Sequence, residues 1–174
     1  ISAMARVEDP VSEAALFVDG FLRGALAQEI GRVDDCLTDG DKIIADVQKL
    51  LGDCDGKFDL LNIITDVGAL LVDVPNSIKD CQQLPDTVET TFKGWMKKLK
   101  NPLTIAKIVY TALSKYKDQL QNDAQSFVSA WKSGQFEHSG ELLGDIPHVV
   151  FDLCSTTEGP DAPFLLVKDL IHKE

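Results

Sequence analysis

The fold is decided by the stretch Gly68-Ala69-Leu70-Leu71-Val72-Asp73-Val74-Pro75, which has a near copy at Gly140-Glu141-Leu142-Leu143-Gly144-Asp145-Ile146-Pro147. The copies share a glycine, two leucines, an aspartate and a proline in register. A turn signal precedes each copy, Gly56-Lys57-Phe58 in the first case and Gly134-Gln135-Phe136 in the second. This pattern predicts a duplicated helical unit.

Glycine and proline divide the rest of the chain into helical lengths, and alternating β-branched stretches with hairpin turns are missing. Asp9-Pro10 predicts the start of a first helix that ends near Gly31. Further helices are predicted at about 33–54, 58–81, 85–99, 102–133 and 137–154, followed by a short amphipathic tail at 164–171. The helix at 85–99 should begin with a capping box formed by Asp86 and Glu89. We therefore expect an all-α helical bundle of two duplicated hairpins, an N-terminal helix and a connecting helix.

The chain has 174 residues, of which 44% are hydrophobic, and this length favours one domain over residues 1–174. The internal repeat would span about residues 33–81 and 103–154. No run of eighteen apolar residues occurs, so we expect no transmembrane span. Because the sequence starts at Ile1, we expect either a mature product after signal removal or an excised piece.

The net charge of −11 is confined to the first half of the chain. Residues 1–90 contain 18 acidic and 7 basic side chains, whereas residues 91–174 contain 10 of each. Nucleic-acid binding needs a basic face, so a nucleic-acid partner is not expected. The charge favours solubility or cationic partners.

The cysteines are Cys36, Cys54, Cys81 and Cys154, without C-x-x-C spacing, so a zinc site is not predicted. An even count fits two disulfides in an oxidising compartment. The alternative is four buried free thiols in a cytosolic helical protein.

Hairpin geometry favours one pairing of these cysteines. If each repeat is a helix, a turn and a returning helix, Cys36 and Cys81 finish near each other at the open end of the first hairpin. The segment 84–99 is long enough to invert the second hairpin, which would bring Cys154 towards Cys54. Four cysteines allow three connectivities, and the sequence does not choose between them.

The repeated prolines Pro75 and Pro147 each remove a backbone donor inside a predicted helix. We predict a bend at both positions, since the carbonyls of Leu71 and Leu143 lose their partners. The bends would wrap each helix around its neighbour. A pocket lined by the freed carbonyls is the alternative.

The sequence contains no nucleophile elbow, Walker loop, paired-histidine zinc motif or dinucleotide fingerprint. No enzymatic activity, metal or cofactor is therefore expected. The segment 53–56 with Asp59 superficially resembles a calcium loop, but the late bidentate acid would fall at about Ile64. A hairpin turn with helix-capping aspartates explains these residues, and His148 is interpreted as a packed or surface histidine.

A basic connector stands out in this acidic chain, and it forms a candidate interaction surface of Lys93, Trp95, Lys97, Lys98 and Lys100. Such a segment could rest on an anionic membrane or dock against an acidic surface. The favoured alternative is a connecting helix whose lysines extend to solvent while its aromatic residues are buried. These lysines could then meet the acidic first half of the same chain or of a neighbouring copy.

Several short motifs together resemble a group of secreted, cysteine-containing helical proteins of ciliates and other protists, over about residues 17–153. The motifs are Phe17-x-x-Gly20-Phe21-Leu22-x-Gly24, Asp35-Cys36, Gly56-Lys57-Phe58, Gly68-x-Leu70-Leu71-x-Asp73-Val74-Pro75, Lys79-Asp80-Cys81 and Lys100-Asn101-Pro102. The resemblance implies secretion and supplies no activity. Counterparts of Cys36 and Cys81 recur in that group, which supports their pairing, whereas Cys54 has no fixed counterpart.

Two functions follow from these patterns. The first is a non-enzymatic extracellular helical protein that acts through protein contacts or self-association, as a subunit of a surface, matrix or filamentous assembly. The second is a carrier of a small apolar ligand or lipid within the bundle.

Overall fold

The computed structural model of the protein describes residues 10–82 and 84–154, and the regular elements within them are all helical. The prediction of an all-α bundle is confirmed. The elements are α1 (Pro10–Leu26), α2 (Gly40–Cys54), α3 (Leu60–Ser77), α4 (Thr87–Lys100), α5 (Pro102–Lys132), α6 (Phe136–Pro147) and a π-helix (His148–Leu153). The predicted N-cap Asp9 and the predicted tail at 164–171 lie outside the described residues.

Two helical hairpins are present, because α2 packs against α3 and α5 packs against α6. Gly56 and Gly134, with φ of 97° and 81°, lie in the turns that connect these helices. Both residues adopt the left-handed conformation that glycine accepts without steric cost. The two copies of the repeated motif lie on α3 and α6, the second helix of each hairpin, and α4 connects the hairpins while packing along α3.

Side-chain caps begin two of the helices. Asn101 Oδ1 accepts a hydrogen bond from the N–H of Thr104 at 3.1 Å, and Pro102 occupies the first turn of α5. Asp59 Oδ1 accepts from the N–H of Asn62 at 3.2 Å at the start of α3. The capping role predicted for an aspartate of the first hairpin turn is confirmed.

The capping box predicted for α4 is absent. Asp86 has helical dihedral angles, φ −63° and ψ −19°, and its side chain makes no capping hydrogen bond. Main-chain groups close this turn instead, since the N–H of Val88 donates to the carbonyl of Pro85 at 3.3 Å.

Helix α2 begins later than predicted, so Cys36 lies in the loop before it. The N–H of Val33 donates to Asp19 Oδ1 at 3.0 Å, and the N–H of Thr38 donates to the carbonyl of Ser77 at 2.9 Å. These bonds satisfy backbone donors of the loop outside a helix, which removes the need for helical pairing.

Helix α2 has one fully buried face, to which Ile44 and Leu51 do not belong. Both of these residues are only partly buried. The residues that face the core are Gly40, Ile43, Val47, Leu50 and Cys54.

The two repeated prolines occupy different places. Pro75 lies in the last turn of α3, whereas Pro147 is the final residue of α6, where the backbone changes to the wider π-helix. Because no bend angle follows from these positions, the bends stay a prediction. One departure was not predicted: Tyr116 has φ −131° and ψ 20°, which kinks α5 without a proline.

Aromatic rings join α1, α4 and the π-helix in the core. The ring centroids of Phe17 and Phe21 are 5.9 Å apart, and those of Phe21 and Phe92 are also 5.9 Å apart. Trp95 then stacks between Phe92 and Phe151, with 5.4 Å to each. Such ring pairs stabilise beyond the area that they bury.

Helices α1 and α6 make the most extensive contact of the structure through four glycines. Gly20 and Gly24 of α1 face the backbone of α6, and Gly140 and Gly144 of α6 face the backbone of α1. A Cβ atom at any of the four would overlap main-chain atoms of the opposite helix. Only glycine therefore permits this separation of the two helices.

An ion pair spans the same two helices. Arg23 Nη1 lies 2.9 Å from Glu137 Oε2, and Arg23 Nε donates to Glu141 Oε2 at 3.1 Å. Since the guanidinium binds two carboxylates of successive turns, it fixes the register of α1 on α6.

Candidate interaction surface

The lysine-rich connector forms α4, and its lysines lie in different environments. Lys93, Lys97 and Lys100 are exposed and border the seam with α3. Lys98 lies elsewhere, because its Nζ is 3.4 Å from the carbonyl oxygen of Phe151. The lysines predicted as one surface are therefore divided.

Trp95 does not belong to the exposed surface, which corrects that part of the prediction. Only 3% of the residue is exposed, and its Nε1 donates to Asp152 Oδ1 at 3.2 Å. The helical period explains this position, since Trp95 and Phe92 fall on the buried face of α4. The alternative interpretation, in which the aromatic residues of the connector are buried, agrees with the structure.

A groove of about 290 Å³ runs along the seam between α3 and α4. It is lined by Leu71, Val72, Pro75, Asn76, Glu89, Lys93, Met96, Lys97 and Lys100. Val72 is 46% exposed, and it lines the groove together with Leu71, Pro75 and Met96. Lys93 Nζ lies 3.7 Å from Glu89 Oε2, whereas Lys97 and Lys100 add positive charge, which suits an apolar side chain flanked by carboxylates.

A second depression, of about 180 Å³, adjoins the groove and shares Pro75 and Glu89 with it. It extends along the same seam to Ile78 and Cys81. The concave surface thus continues from Lys100 to the end of the first hairpin.

The disulfide predicted between Cys36 and Cys81 is present, with the two Cα atoms 5.2 Å apart. It joins the loop before α2 to the segment after α3. The hydrogen bond from the N–H of Thr38 to the carbonyl of Ser77 lies beside it in the chain. The open end of the first hairpin is therefore held by a covalent bond and by backbone pairing.

The second predicted disulfide is wrong, because Cys54 and Cys154 are free thiols. Cys54 ends α2, whereas Cys154 follows a π-helix that packs mainly on α5, α6 and α1. Both residues are at least 96% buried, with 4% and 2% exposure. Burial raises the pKa of the Cys54 thiol to about 12 and also raises that of Cys154, so both thiols are poor nucleophiles.

The first hairpin brings four aspartates together in two pairs, which sequence reasoning did not find. Asp46 of α2 lies beside Asp73 of α3, and Asp53 of α2 lies beside Asp66 of α3, so that a proton on one carboxyl can be donated to the other. Lys49 Nζ lies 3.5 Å from Asp66 Oδ1.

The second hairpin contains a third pair, Asp123 of α5 with Asp145 of α6. Gln119 Nε2 also donates to Asp145 Oδ2 at 3.1 Å. Asp73 and Asp145 hold the same position in the repeated motif. This shared aspartate was the available signal, but a sequence does not show which residue of the neighbouring helix faces it.

Burial and the second carboxyl both favour the protonated form of one aspartate in each pair. Burial is the larger cause, and the hydrogen bond to the partner carboxyl follows. The pKa rises to about 7 for Asp46, to about 6 for Asp53 and to about 8 for Asp123. Lys42 and Lys49 lower the pKa of Asp46 in opposition to these effects.

The histidines in the described part of the chain form side-chain pairs with acids. His148 Nδ1 lies 3.1 Å from Asp152 Oδ2, and His138 Nδ1 lies 3.7 Å from Glu141 Oε1. Within residues 10–82 and 84–154, no three His, Cys, Asp or Glu side chains are grouped to hold a metal ion. Over the same residues, no helix has the length and apolar character needed to cross a bilayer.

These observations define a small, disulfide-containing all-α protein with an open groove on one helical seam. The chain belongs to the SctB-like family, described as secreted protein B-like, whose family model matches residues 2–152. No curated protein sequence and no solved structure matches it. Membership of a secreted family agrees with the predicted secretion, and the disulfide is compatible with an extracellular location.

Proposed function

We propose that the protein works outside the cell as a non-enzymatic subunit that binds further copies of itself through the groove between α3 and α4. The observation that supports this most directly is the exposure of Val72 in a groove that Lys93, Lys97 and Lys100 also line, in a chain of net charge −11. The distribution of the group among ciliates and other protists stays a prediction.

The groove requires a partner with both apolar and acidic groups. Val72 and the partly buried Met96 offer apolar area, and its removal from water stabilises a contact. Lys93 Nζ already lies 3.7 Å from Glu89 Oε2, whereas Lys97 and Lys100 favour carboxylates opposite them, because like charges across an interface are repulsive.

The loop before α2 carries such groups on the same chain. Asp34, Asp35 and Asp39 are exposed there, Asp41 is exposed in the first turn of α2, and Leu37 is only partly buried. The loop is held in place by the adjacent disulfide and by the bond to Ser77. It therefore presents its carboxylates without a large loss of conformational freedom on binding.

The acidic loop and the lysine groove involve different residues, so the proposed contact is heterologous. Contacts of this kind lead to closed rings or to open filaments. This supports a role as the subunit of a surface, matrix or filamentous assembly.

The alternative function is a carrier of a small apolar ligand or lipid within the bundle. Such a carrier needs apolar space between the helices, and the structure supports this less well. Fully buried aromatic rings, including Phe21 and Phe92, pack between α1 and α4.

Sedimentation velocity over a range of protein concentrations tests the proposal. We expect association in dilute buffer and dissociation at about 1 M salt, where the Debye length falls to about 3 Å. A sample that stays monomeric at every concentration and salt would contradict it. Uptake of a fluorescent fatty acid by that monomer would favour the carrier function instead.

Charge exchange identifies the two surfaces. One variant carries Lys93→Glu, Lys97→Glu and Lys100→Glu, and the other carries Asp34→Lys and Asp35→Lys. Each variant alone should be monomeric, and an equimolar mixture should associate again because the charges are complementary.

The matched control replaces three exposed lysines of α5 by glutamate, Lys115, Lys117 and Lys132. Its change in net charge equals that of the groove variant, so general repulsion would affect both variants equally. Association that is lost only in the groove variant supports the assignment of the surface.

A further inference from the structure

Paired carboxyl groups lie at the helix contacts of both hairpins, and the groove does not involve them. Two pairs join α2 to α3, and one pair joins α5 to α6. The residues are at most partly exposed, with Asp66 at 14%, Asp73 at 13% and Asp123 at 8%. Such positions normally contain apolar residues or a carboxylate paired with a cation.

One carboxyl oxygen in each pair lacks a donor. Oδ2 of Asp46, of Asp53 and of Asp123 is buried and has no N–H or hydroxyl partner. A buried acceptor without a partner is costly, and two facing carboxylates repel each other. A single proton held between the two carboxyls removes both costs, because the protonated group donates to its partner.

The surrounding charges only partly replace such a proton. Lys42 and Lys49 of α2 face the pairs of the first hairpin, and Lys49 and Asn62 act on Asp53. Both lysines are largely exposed, at 68% and 71%, so water screens them.

In the second hairpin, Asp145 is the charged group that acts on Asp123, and Gln119 donates to Asp145. No cation contributes to the electrostatics of Asp123 in the described residues. The repulsion between Asp123 and Asp145 is therefore the least compensated by cations, and a shared proton stabilises this pair the most.

We propose that a proton shared within each of these aspartate pairs links the two helices of its hairpin, so that the fold is more stable in mild acid and less stable in alkali. The device is independent of the groove and its partner. A secreted protein built in this way unfolds most readily where these protons are released.

The direction in which stability changes with pH follows from the number of protons that the folded and unfolded states bind. An unfolded aspartate has a pKa near 3.8, and the folded values lie between about 6 and 8, so the folded state binds more protons over this range. The stability that the shared protons contribute is fully present at acid pH. It is lost as the pH rises through the pKa values of the folded state. Each shared proton changes the folding equilibrium constant by up to about tenfold per pH unit.

Urea unfolding, followed by tryptophan fluorescence between pH 5.5 and 8.5, tests the proposal. The wild-type midpoint should fall as the pH rises. Asp123→Asn should flatten this dependence and raise the midpoint at pH 8.5, because the amide donates to Asp145 without a titrating proton. Asp118→Asn is the matched control, since Asp118 is exposed on the same helix and its loss relieves net charge equally.

Two outcomes would overturn the proposal. The first is a wild-type midpoint that is constant or rises between pH 5.5 and 8.5. The second is an equal effect of Asp123→Asn and Asp118→Asn, which would assign the dependence to general charge repulsion. A direct count of protons taken up on refolding at pH 7 should be lower for Asp123→Asn than for the control.

Discussion

The backbone of Gly140 packs directly against the carbonyl oxygen of Phe17, so the repeated motif has a different task in each hairpin. In the first copy, Gly68 faces the side-chain end of Leu99, and a Cβ there would lie 2.7 Å from Leu99 Cδ2. A side chain can move aside, whereas the main chain of a packed helix cannot.

Gly140→Ala should therefore lower the free energy of unfolding by about 3 kcal/mol, because α1 and α6 must separate. Gly68→Ala should cost about 1 kcal/mol, since Leu99 can change its rotamer. Gly52→Ala is the control, because nothing lies within 4 Å of its Cβ position, and it should stabilise the helix by about 0.5 kcal/mol. Urea unfolding measures all three, and equal losses at Gly140 and Gly68 would refute the difference.

Removal of the disulfide through Cys36→Ser with Cys81→Ser should destabilise the protein by about 4 kcal/mol. The bond encloses a separation of 45 residues, which restricts the unfolded chain. Calorimetry in the absence of reductant is the measurement. A loss below about 1 kcal/mol would show that the backbone bonds beside the disulfide hold this end alone.

Cys54 and Cys154 should resist alkylation in the native protein and react completely in urea. Their burial raises both thiol pKa values, so little thiolate forms at neutral pH. Mass spectrometry should count two modified thiols after denaturation without reductant and four after reduction. A count of zero without reductant would restore the second disulfide.

Val72→Asp should abolish self-association and change the unfolding free energy of the monomer by less than about 0.5 kcal/mol, because the side chain is already exposed. Leu103→Asp is the control, since Leu103 is 41% exposed on α5 and does not line the groove. Sedimentation should separate the two variants. Equal behaviour would remove the groove from the interface.

Lys49→Met should make Asp53 hold its proton to higher pH. The ammonium of Lys49 favours the ionised form and lowers the pKa of Asp53, which burial and Asp66 raise. Carboxyl ¹³C NMR can follow this titration. Lys79→Met, an exposed change outside the hairpin contact, should leave the Asp53 titration unmoved.

The sequence was sufficient for the helical class and for most helix ends, because glycine, proline and capping residues act locally. The start of α2 was missed, since the bonds from Val33 to Asp19 and from Thr38 to Ser77 join residues far apart in the chain. Local propensity carries no information about such partners.

Composition alone identifies the lysine-rich connector. The division of its lysines between two environments depends on the packing of α4, in which Trp95 is buried. The pairing of Cys54 with Cys154 was predicted wrongly because it depended on the position of the second hairpin, which sequence spacing does not determine. The aspartate pairs were missed because acidic residues on a helix are usually solvated.

The four-glycine contact has a consequence for biosynthesis. Gly20 and Gly24 precede their partners Gly140 and Gly144 by about 120 residues. Contacts between such distant residues slow folding and leave apolar surface open while the chain is incomplete. Helix α1 therefore stays uncovered until the ribosome has made all of the intervening helices and then α6.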